Sequence, residues 1–245
     1  MTIKLGLIGY PLSHSFSKGY FTEKFIKENI PNHIYDTYPI EKIELVEDLF
    51  QNENLLGLNV TIPYKEVVIP YLDELDETAK EIGAVNTIKI IEGKKIGFNT
   101  DCYGFQKSFE PLLKPHHKKA LVLGTGGAAK AVVYALKQLG IEYQYVSRTG
   151  NANNWSYEQI TPEVLEEFTV IINTSPVGMY PKVDSLPALP YESISEIHYL
   201  YDLVYNPEVT AFLQKGLDHG AQIKNGIDML HLQAEKAWEI WNKPQ

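Results

Sequence analysis

Apolar and polar positions alternate along this chain in blocks that switch repeatedly between strand-like and helix-like spacing, which predicts α/β architecture with mostly parallel sheets. Ile3–Ile8 is a short apolar run stopped by Gly9-Tyr10-Pro11, hence a first strand and its turn. A Ser-rich turn leads into a helix over Phe16–Glu28, followed by a strand at His33–Ile40 and a helix at Ile43–Phe50. Leu56–Ile62 reads as a strand stopped by Pro63, with helical stretches after it to about Ile82. Thr87–Ile91 and Lys95–Phe98 flank Glu92-Gly93 and predict a hairpin, and a helix follows over Tyr103–Leu113, ended by Pro115.

A second unit opens abruptly at Lys119–Leu123, a nearly all-apolar strand running into Gly124-Thr125-Gly126-Gly127-Ala128-Ala129 and a helix to Leu139. Strands are expected at Glu142–Val146, Thr169–Asn173 and Tyr199–Val204, with a short last one at Gln222-Ile223-Lys224. Helices are expected at Val209–His219 and from Gly226 to about Trp241. The tract Gly150-Asn151-Ala152-Asn153-Asn154 is a polar loop where a helix would ordinarily stand. The chain contains no repeats and no low-complexity tracts.

At 245 residues the chain can hold one large domain or two smaller ones, and 44% apolar residues suffice for a packed core. No apolar run approaches the ~20 residues that span a bilayer. The single cysteine, Cys102, excludes an internal disulfide and fits a reducing cytoplasm. A net charge of −9 disfavours a nucleic-acid partner, since phosphate binding needs a basic face. Neither His nor Cys spacing points to a metal site.

A strand, then G-x-G-x-x-(G/A), then a helix is the physical recipe for a pyrophosphate cradle. Gly124 permits the tight turn, Gly126 lets the backbone approach the phosphates, and Ala129 keeps the third position small for close helix packing. The free N–H groups of the helix start, with Gly127 and Ala128, then face the anion. The next strand ends in Ser147-Arg148-Thr149, where an NAD-specific fold would place Asp or Glu. An Arg with two hydroxyl residues suits a 2′-phosphate, so NADP is favoured over NAD, although a solvated Arg at a strand end remains an alternative.

In the first half, Asn59–Lys65 predicts a strand turning into a helix at Pro63, with Lys65 in the first helical turn. A helix dipole there opposes a cation and would lower the lysine towards the range of a general acid or base; a solvated surface lysine is the alternative. Asp101, in Asn99-Thr100-Asp101, is either an N-cap, or a carboxylate that orients Lys65, or both. Ser13 and Ser15 are either caps or hydrogen-bond donors to a carboxylate. Gln233 falls beside the apolar stripe Leu230, Ala234, Ala237, Trp241, and either satisfies buried backbone or faces a cleft.

Taken together, these segments resemble the shikimate dehydrogenase family over nearly the whole chain and in the family's order. GYPLSHSFS at Gly9–Ser17, NVTIPYK at Asn59–Lys65, GAVNT at Gly83–Thr87 and NTD at Asn99–Asp101 look like its substrate motifs. LGTGGAAKA at Leu123–Ala131, NTSPVGM at Asn173–Met179, YDLVYNPEVT at Tyr201–Thr210 and GIDMLHLQA at Gly226–Ala234 look like its cofactor and closing motifs. The resemblance implies a substrate-binding domain over 1–101 plus 227–245, an NADP-binding Rossmann-like domain over 102–226, and a C-terminal helix returning to the first. It implies reversible reduction of 3-dehydroshikimate to shikimate by NADPH, in chorismate and aromatic amino-acid biosynthesis, with Lys65 and Asp101 as the catalytic pair. Ser13, Ser15, Thr61, Asn86, Tyr205 and Gln233 would hold the substrate. Thr174, Ser175, Pro176 and Met179, with Leu203 and Gly226, would line the nucleotide.

The family usually has Asn where Ser147 stands, and a second basic residue shortly after the Arg-Thr pair. The polar 150–154 loop replaces that segment here, and the following helix is shortened or lost. A quinate/shikimate dehydrogenase with relaxed cofactor use is the nearest alternative. A non-catalytic sensor would lack Lys65 or Asp101 or add a DNA-binding segment, and neither is seen. A folate or amino-acid dehydrogenase of similar architecture is disfavoured by the SHS and YDLVYNP segments. Monomer and homodimer both stay open, as do the strictness of NADP use and activity on quinate.

Overall fold

In the computed structural model, which describes residues 1–12 and 15–243, the first half is built on the apolar run expected at its start. That run forms β1 (Ile3–Gly9), followed by α1 (Phe16–Lys27), β2 (His33–Pro39), a 3₁₀ turn over Ile43–Leu45 and α2 (Val46–Phe50). Then come β3 (Leu55–Val60), a two-residue β4 (Glu74–Leu75), α3 (Glu77–Ile82), β5 (Thr87–Ile91) and β6 (Lys94–Phe98). The sheet is six-stranded, in the order β2-β1-β3-β5-β6-β4. β2, β1 and β3 are parallel, whereas β5 runs antiparallel to both β3 and β6. Glu92 (φ 50°) and Gly93 (φ 79°) close the expected hairpin.

The second half continues with α4 (Asp101–Phe109), β7 (Lys119–Leu123), α5 (Gly127–Gln138), β8 (Glu142–Ser147), the two-residue β9 (Trp155–Ser156) and α6 (Pro162–Glu167). β10 (Val170–Asn173), β11 (Tyr199–Asp202), α7 (Ala211–Asp218), β12 (Gln222–Asn225) and α8 (Ile227–Asn242) complete the chain. All six strands of this sheet are parallel, in the order β12-β11-β10-β7-β8-β9. Renumbered from β7, that is the doubly wound dinucleotide-binding order 3-2-1-4-5-6, whose topological switch lies between β7 and β10.

The chain divides into two compact units, Met1–Thr100 with Ala234–Gln245, and Asp101–Gln233. Period-2 alternation splits each sheet's side chains between two cores. In the second unit Ala120, Val122, Ile172 and Tyr201 pack with α4 and α5, while Leu121, Leu123, Ile171 and Leu200 pack with α6 and α7. In the first, Ile8, Leu58, Val60 and Ile88 fill one face. Leu5, Leu7, Phe21, Tyr35 and Trp241 fill the other, where Trp241 Nε1 donates to the Ile88 carbonyl at 2.9 Å. Gly57 leaves room for that indole, since a Cβ there would lie 2.2 Å from Trp241 Nε1.

Two readings are corrected. No α-helix starts at Pro63; Thr61–Tyr64 is a turn closed by Tyr64 N–H to Thr61 C=O at 2.9 Å, and irregular turns follow to Val68. The Lys65 carbonyl accepts from Val85 N–H at 2.7 Å, so it is taken by the segment between α3 and β5 and is lost to a helical ladder. No helix dipole therefore acts on Lys65. Asp101 is the first residue of α4, one position inside the predicted cap. No helix among the described residues is long and apolar enough to cross a membrane.

Candidate active site

Four chain segments of the first unit meet at the carboxyl-terminal edge of β1, β3 and β6. Thr61 N–H bonds Ile8 C=O at 2.9 Å, Tyr10 N–H bonds Ile62 C=O at 3.1 Å, and Val60 N–H bonds Asn86 C=O at 2.8 Å. Asn86 N–H reaches Phe98 C=O at 3.0 Å. Thr61 and Lys65 after β3, Asn86 before β5, and Asn99-Thr100 after β6 thus share one edge, the place where open α/β sheets bind ligands. Thr61 and Lys65 are half-buried and Asn86 is buried. Tyr64 anchors the Lys65 turn by donating its phenol to the Ile40 carbonyl at 2.5 Å.

Beneath this edge runs a buried polar network. The Tyr35 hydroxyl donates to Asn59 Oδ1 at 2.7 Å, and Asn59 Nδ2 donates to Thr87 Oγ1 at 3.1 Å and the Asn86 carbonyl at 3.3 Å. Asn86 Oδ1 accepts from Thr100 N–H at 2.6 Å, while its Nδ2 donates to Thr100 Oγ1 at 3.0 Å. Asn99 Nδ2 donates to the Ala84 carbonyl at 2.9 Å. Asn86 and Asn99 together fix the residues that immediately precede Asp101. Asn59, Thr87 and Thr100 were not singled out from sequence as site residues, although a polar side chain inside the apolar run Leu55–Ile62 was the available signal. Ser15 caps α1, accepting from Lys18 N–H at 3.3 Å. Ser13 lies outside the described residues.

In the second unit, Asp101 is buried at the start of α4 and Gln233 is buried in α8. The two helices touch at Gly104, where a Cβ would lie 2.4 Å from the Met229 carbonyl and 3.0 Å from Gln233 N. Gln233 Nε2 donates to the Leu230 carbonyl at 2.9 Å, so the backbone-satisfying role applies to at least one of its hydrogens. Tyr205 is exposed in the loop after β11.

The glycine loop follows β7 at the switch point. Gly124 has φ 124°, and a Cβ there would sit 2.6 Å from Thr174 Oγ1. Thr174 is itself pinned to the Leu123 carbonyl by its N–H at 3.0 Å and its hydroxyl at 2.9 Å. The loops after β7 and β10, carrying Gly124–Ala129 and Thr174–Met179, are therefore in direct contact. Gly126 caps the 12-residue α5 with no side-chain hydrogen bond, and nothing lies within 4 Å of where its Cβ would be. The start of α5 is thus open beside Gly126 and has no side-chain cap, which fits a pyrophosphate on the helix N-terminal amides. Ala129 is buried against the sheet. Ser147 ends β8, and Arg148 and Thr149 are exposed beyond it. The 150–154 loop is held by Asn151 Oδ1, which accepts from the amides of Asn153 and Asn154 at 2.8 and 3.0 Å. At the far strand pair, a Cβ on Gly226 would lie 2.2 Å from the Leu203 carbonyl, so these two residues touch. Among the described residues no group of three His, Cys, Asp or Glu is placed to hold a metal ion.

A dinucleotide-binding α/β unit attached to a second, mixed-sheet unit with a polar strand edge defines the class of two-domain nicotinamide dehydrogenases. Comparison with known proteins narrows this. Residues 7–88 match the family model described as shikimate dehydrogenase substrate binding domain. The NADP(+) shikimate dehydrogenase of Clostridium beijerinckii is 42% identical, over 98% of this chain and 92% of that protein. That of Methanococcus vannielii is 36% identical, over 98% and 91%. The crystal structure of the Thermus thermophilus enzyme in complex with NADP(H) and shikimate superposes with a TM-score of 0.87 at 30% identity, covering 98% of this chain and 94% of that one. This chain belongs to the shikimate dehydrogenase family.

Proposed function

We propose that the protein interconverts 3-dehydroshikimate and shikimate with NADP(H), residues 1–101 with 227–245 binding substrate and 102–226 binding nucleotide. The observation that carries this is the open helix N-terminus at Gly126–Ala128, in a chain of this family whose substrate motifs gather at one sheet edge. The nucleotide is held by Gly124, Gly126, Gly127, Ala128 and Ala129 at the pyrophosphate and by Ser147, Arg148 and Thr149 at the 2′-phosphate. Thr174, Ser175, Pro176, Met179, Leu203 and Gly226 lie along its nicotinamide end. When bound, the reduced nicotinamide supplies a hydride to the substrate carbonyl carbon.

The protein's own residues handle charge. The Lys65 ammonium gives a proton to the carbonyl oxygen as negative charge develops there, and the Asp101 carboxylate orients and stabilises that ammonium. In the reverse direction Lys65 takes the hydroxyl proton. Ser13, Ser15 and Gln233 hold the substrate carboxylate and hydroxyls, with Thr61 and Tyr205. Asn86, whose amide engages Thr100 at both ends, contributes by fixing the approach to Asp101 as well as by contact.

The test is absorbance at the reduced-nicotinamide band with shikimate and NADP, then NAD, then quinate. The reading expects turnover with shikimate and NADP. No turnover with any pairing, from protein that still binds NADP, would replace the dehydrogenase with a ligand sensor.

A further inference from the structure

Three of the most deeply buried polar side chains of the second unit, Asn173, Asp202 and Thr210, stand at the carboxyl ends of β10 and β11 and at the start of α7, and carry no role in the mechanism above. They form one continuous set of hydrogen bonds. Asn173 Oδ1 accepts from Ser175 N–H at 3.1 Å and from the Ser175 hydroxyl at 2.7 Å. Asn173 Nδ2 donates to the Val177 carbonyl at 3.1 Å and to Asp202 Oδ1 at 3.0 Å. Asp202 Oδ1 also accepts from Val204 N–H at 3.0 Å, and Oδ2 accepts from the Thr210 hydroxyl at 2.6 Å. Thr210 in turn caps α7, accepting from Leu213 N–H at 3.3 Å.

A carboxylate with no exposed surface and only neutral donors around it is an expensive way to fill a core, where apolar side chains of similar volume serve as well or better. Burial accordingly pushes the Asp202 carboxyl up to about 6, against the three hydrogen bonds that pull it down. What this arrangement supplies and an apolar one does not is direction. Asn173 grips the loop Thr174–Met179 from inside at two residues, and Asp202 grips Val204 and the start of α7. The link between them ties the two loops to each other.

We propose that Asn173 and Asp202 are positioning residues that set the loops 174–179 and 203–206 in register for the nicotinamide end of the nucleotide. This rests on the nucleotide site proposed above. Asp202→Asn retains the geometry: its Oδ1 accepts from Asn173 and Val204, and its Nδ2 donates to the Thr210 oxygen. Asp202→Leu removes the bonds to Asn173, Val204 and Thr210 while Asn173 keeps Ser175 and Val177, and Thr210→Val removes the bond to Asp202 and the cap on Leu213 N–H while keeping shape.

The experiment measures NADPH binding by nucleotide fluorescence, and kcat and shikimate KM, at a temperature where thermal unfolding shows each variant fully folded. The expected result is NADPH affinity within about 3-fold of wild type for Asp202→Asn, but about 10-fold weaker or worse for Asp202→Leu. Thr210→Val falls between them, which keeps the test available if Asp202→Leu does not fold. Shikimate KM rises in Asp202→Leu as well, because the 203–206 loop carries Tyr205, and stays near wild type in Asp202→Asn. Wild-type-like NADPH affinity and kcat in folded Asp202→Leu or Thr210→Val overturns the proposal. Failure of the wild type to bind NADPH overturns the nucleotide site, and this inference with it.

Discussion

Two glycines of one loop separate what the fold requires from what the nucleotide requires. Alanine at Gly124 meets two penalties. The backbone has φ 124°, where L side chains rarely sit, and the new Cβ would lie 2.6 Å from Thr174 Oγ1. Backbone strain of this kind costs about 1–3 kcal/mol. Swinging the Thr174 hydroxyl away breaks its 2.9 Å bond to Leu123, adding about 1 kcal/mol. Gly124→Ala should therefore lose roughly 2–4 kcal/mol of stability in the second unit as well as nucleotide affinity. Alanine at Gly126 meets neither penalty, because φ is −81° and nothing lies within 4 Å of its Cβ. Its stability should stay within ~0.5 kcal/mol of wild type. If the pyrophosphate lies on this amide row, however, the added methyl occupies its approach, and NADPH affinity should fall by roughly 10- to 100-fold. Thermal unfolding together with fluorescence titration of NADPH reads both quantities. Gly126→Ala protein that binds NADPH as tightly as wild type would remove the start of α5 as the phosphate site.

Further expectations concern charge and packing. His117 is buried, with its Nδ1 accepting from Lys114 N–H at 3.0 Å and its other ring nitrogen 3.1 Å from the Ile197 carbonyl. Burial lowers its pKa to about 4 against the raising effect of that carbonyl, with His116 and Lys114 adding to the fall. Below pH ~6.5 the unfolded chain binds a proton that the folded chain refuses, so stability falls on acidification towards pH 4. Relative to His117→Gln, the wild type should lose roughly 1.5 kcal/mol more between about pH 6.5 and pH 5 in denaturant titrations, and parallel curves would refute this. Arg148→Ala should cut NADP affinity by roughly 10-fold or more while leaving NAD affinity alone, since one charged contact is worth about 1.5–3 kcal/mol; equal losses for both nucleotides would place the 2′-phosphate elsewhere. Gly57→Ala should destabilise the first unit by at least ~2 kcal/mol by driving a methyl into Trp241, and a thermal midpoint unchanged from wild type would contradict the packing.

The elements that were legible in the sequence are those whose signal is local. Lys119–Leu123 followed by the glycine run announced β7, α5 and the switch-point loop, and Glu92-Gly93 announced the antiparallel hairpin that makes the first sheet mixed. The turn at Lys65 was not legible, because its carbonyl is claimed by Val85, a residue well beyond the local window. Two-residue strands such as β4 and β9 exist only through their partners and have no period to detect. The shortened crossover after β8 was visible as the polar 150–154 loop, and it resolves into β9 and the six-residue α6. Candidate chemistry was readable at Lys65, Asp101 and the glycines through residue type and order. The Asn59 and Asp202 networks depend on which buried polar groups meet across strands, which one sequence does not reveal.

The central claim is that Lys65 moves the proton while hydride is transferred, and Lys65→Ala tests it most directly. Steady-state kinetics with shikimate and NADP should show kcat lowered by roughly 10²–10⁴-fold, with shikimate KM and NADPH affinity little changed. A variant that keeps kcat while KM rises would make Lys65 a binding group only and contradict the account.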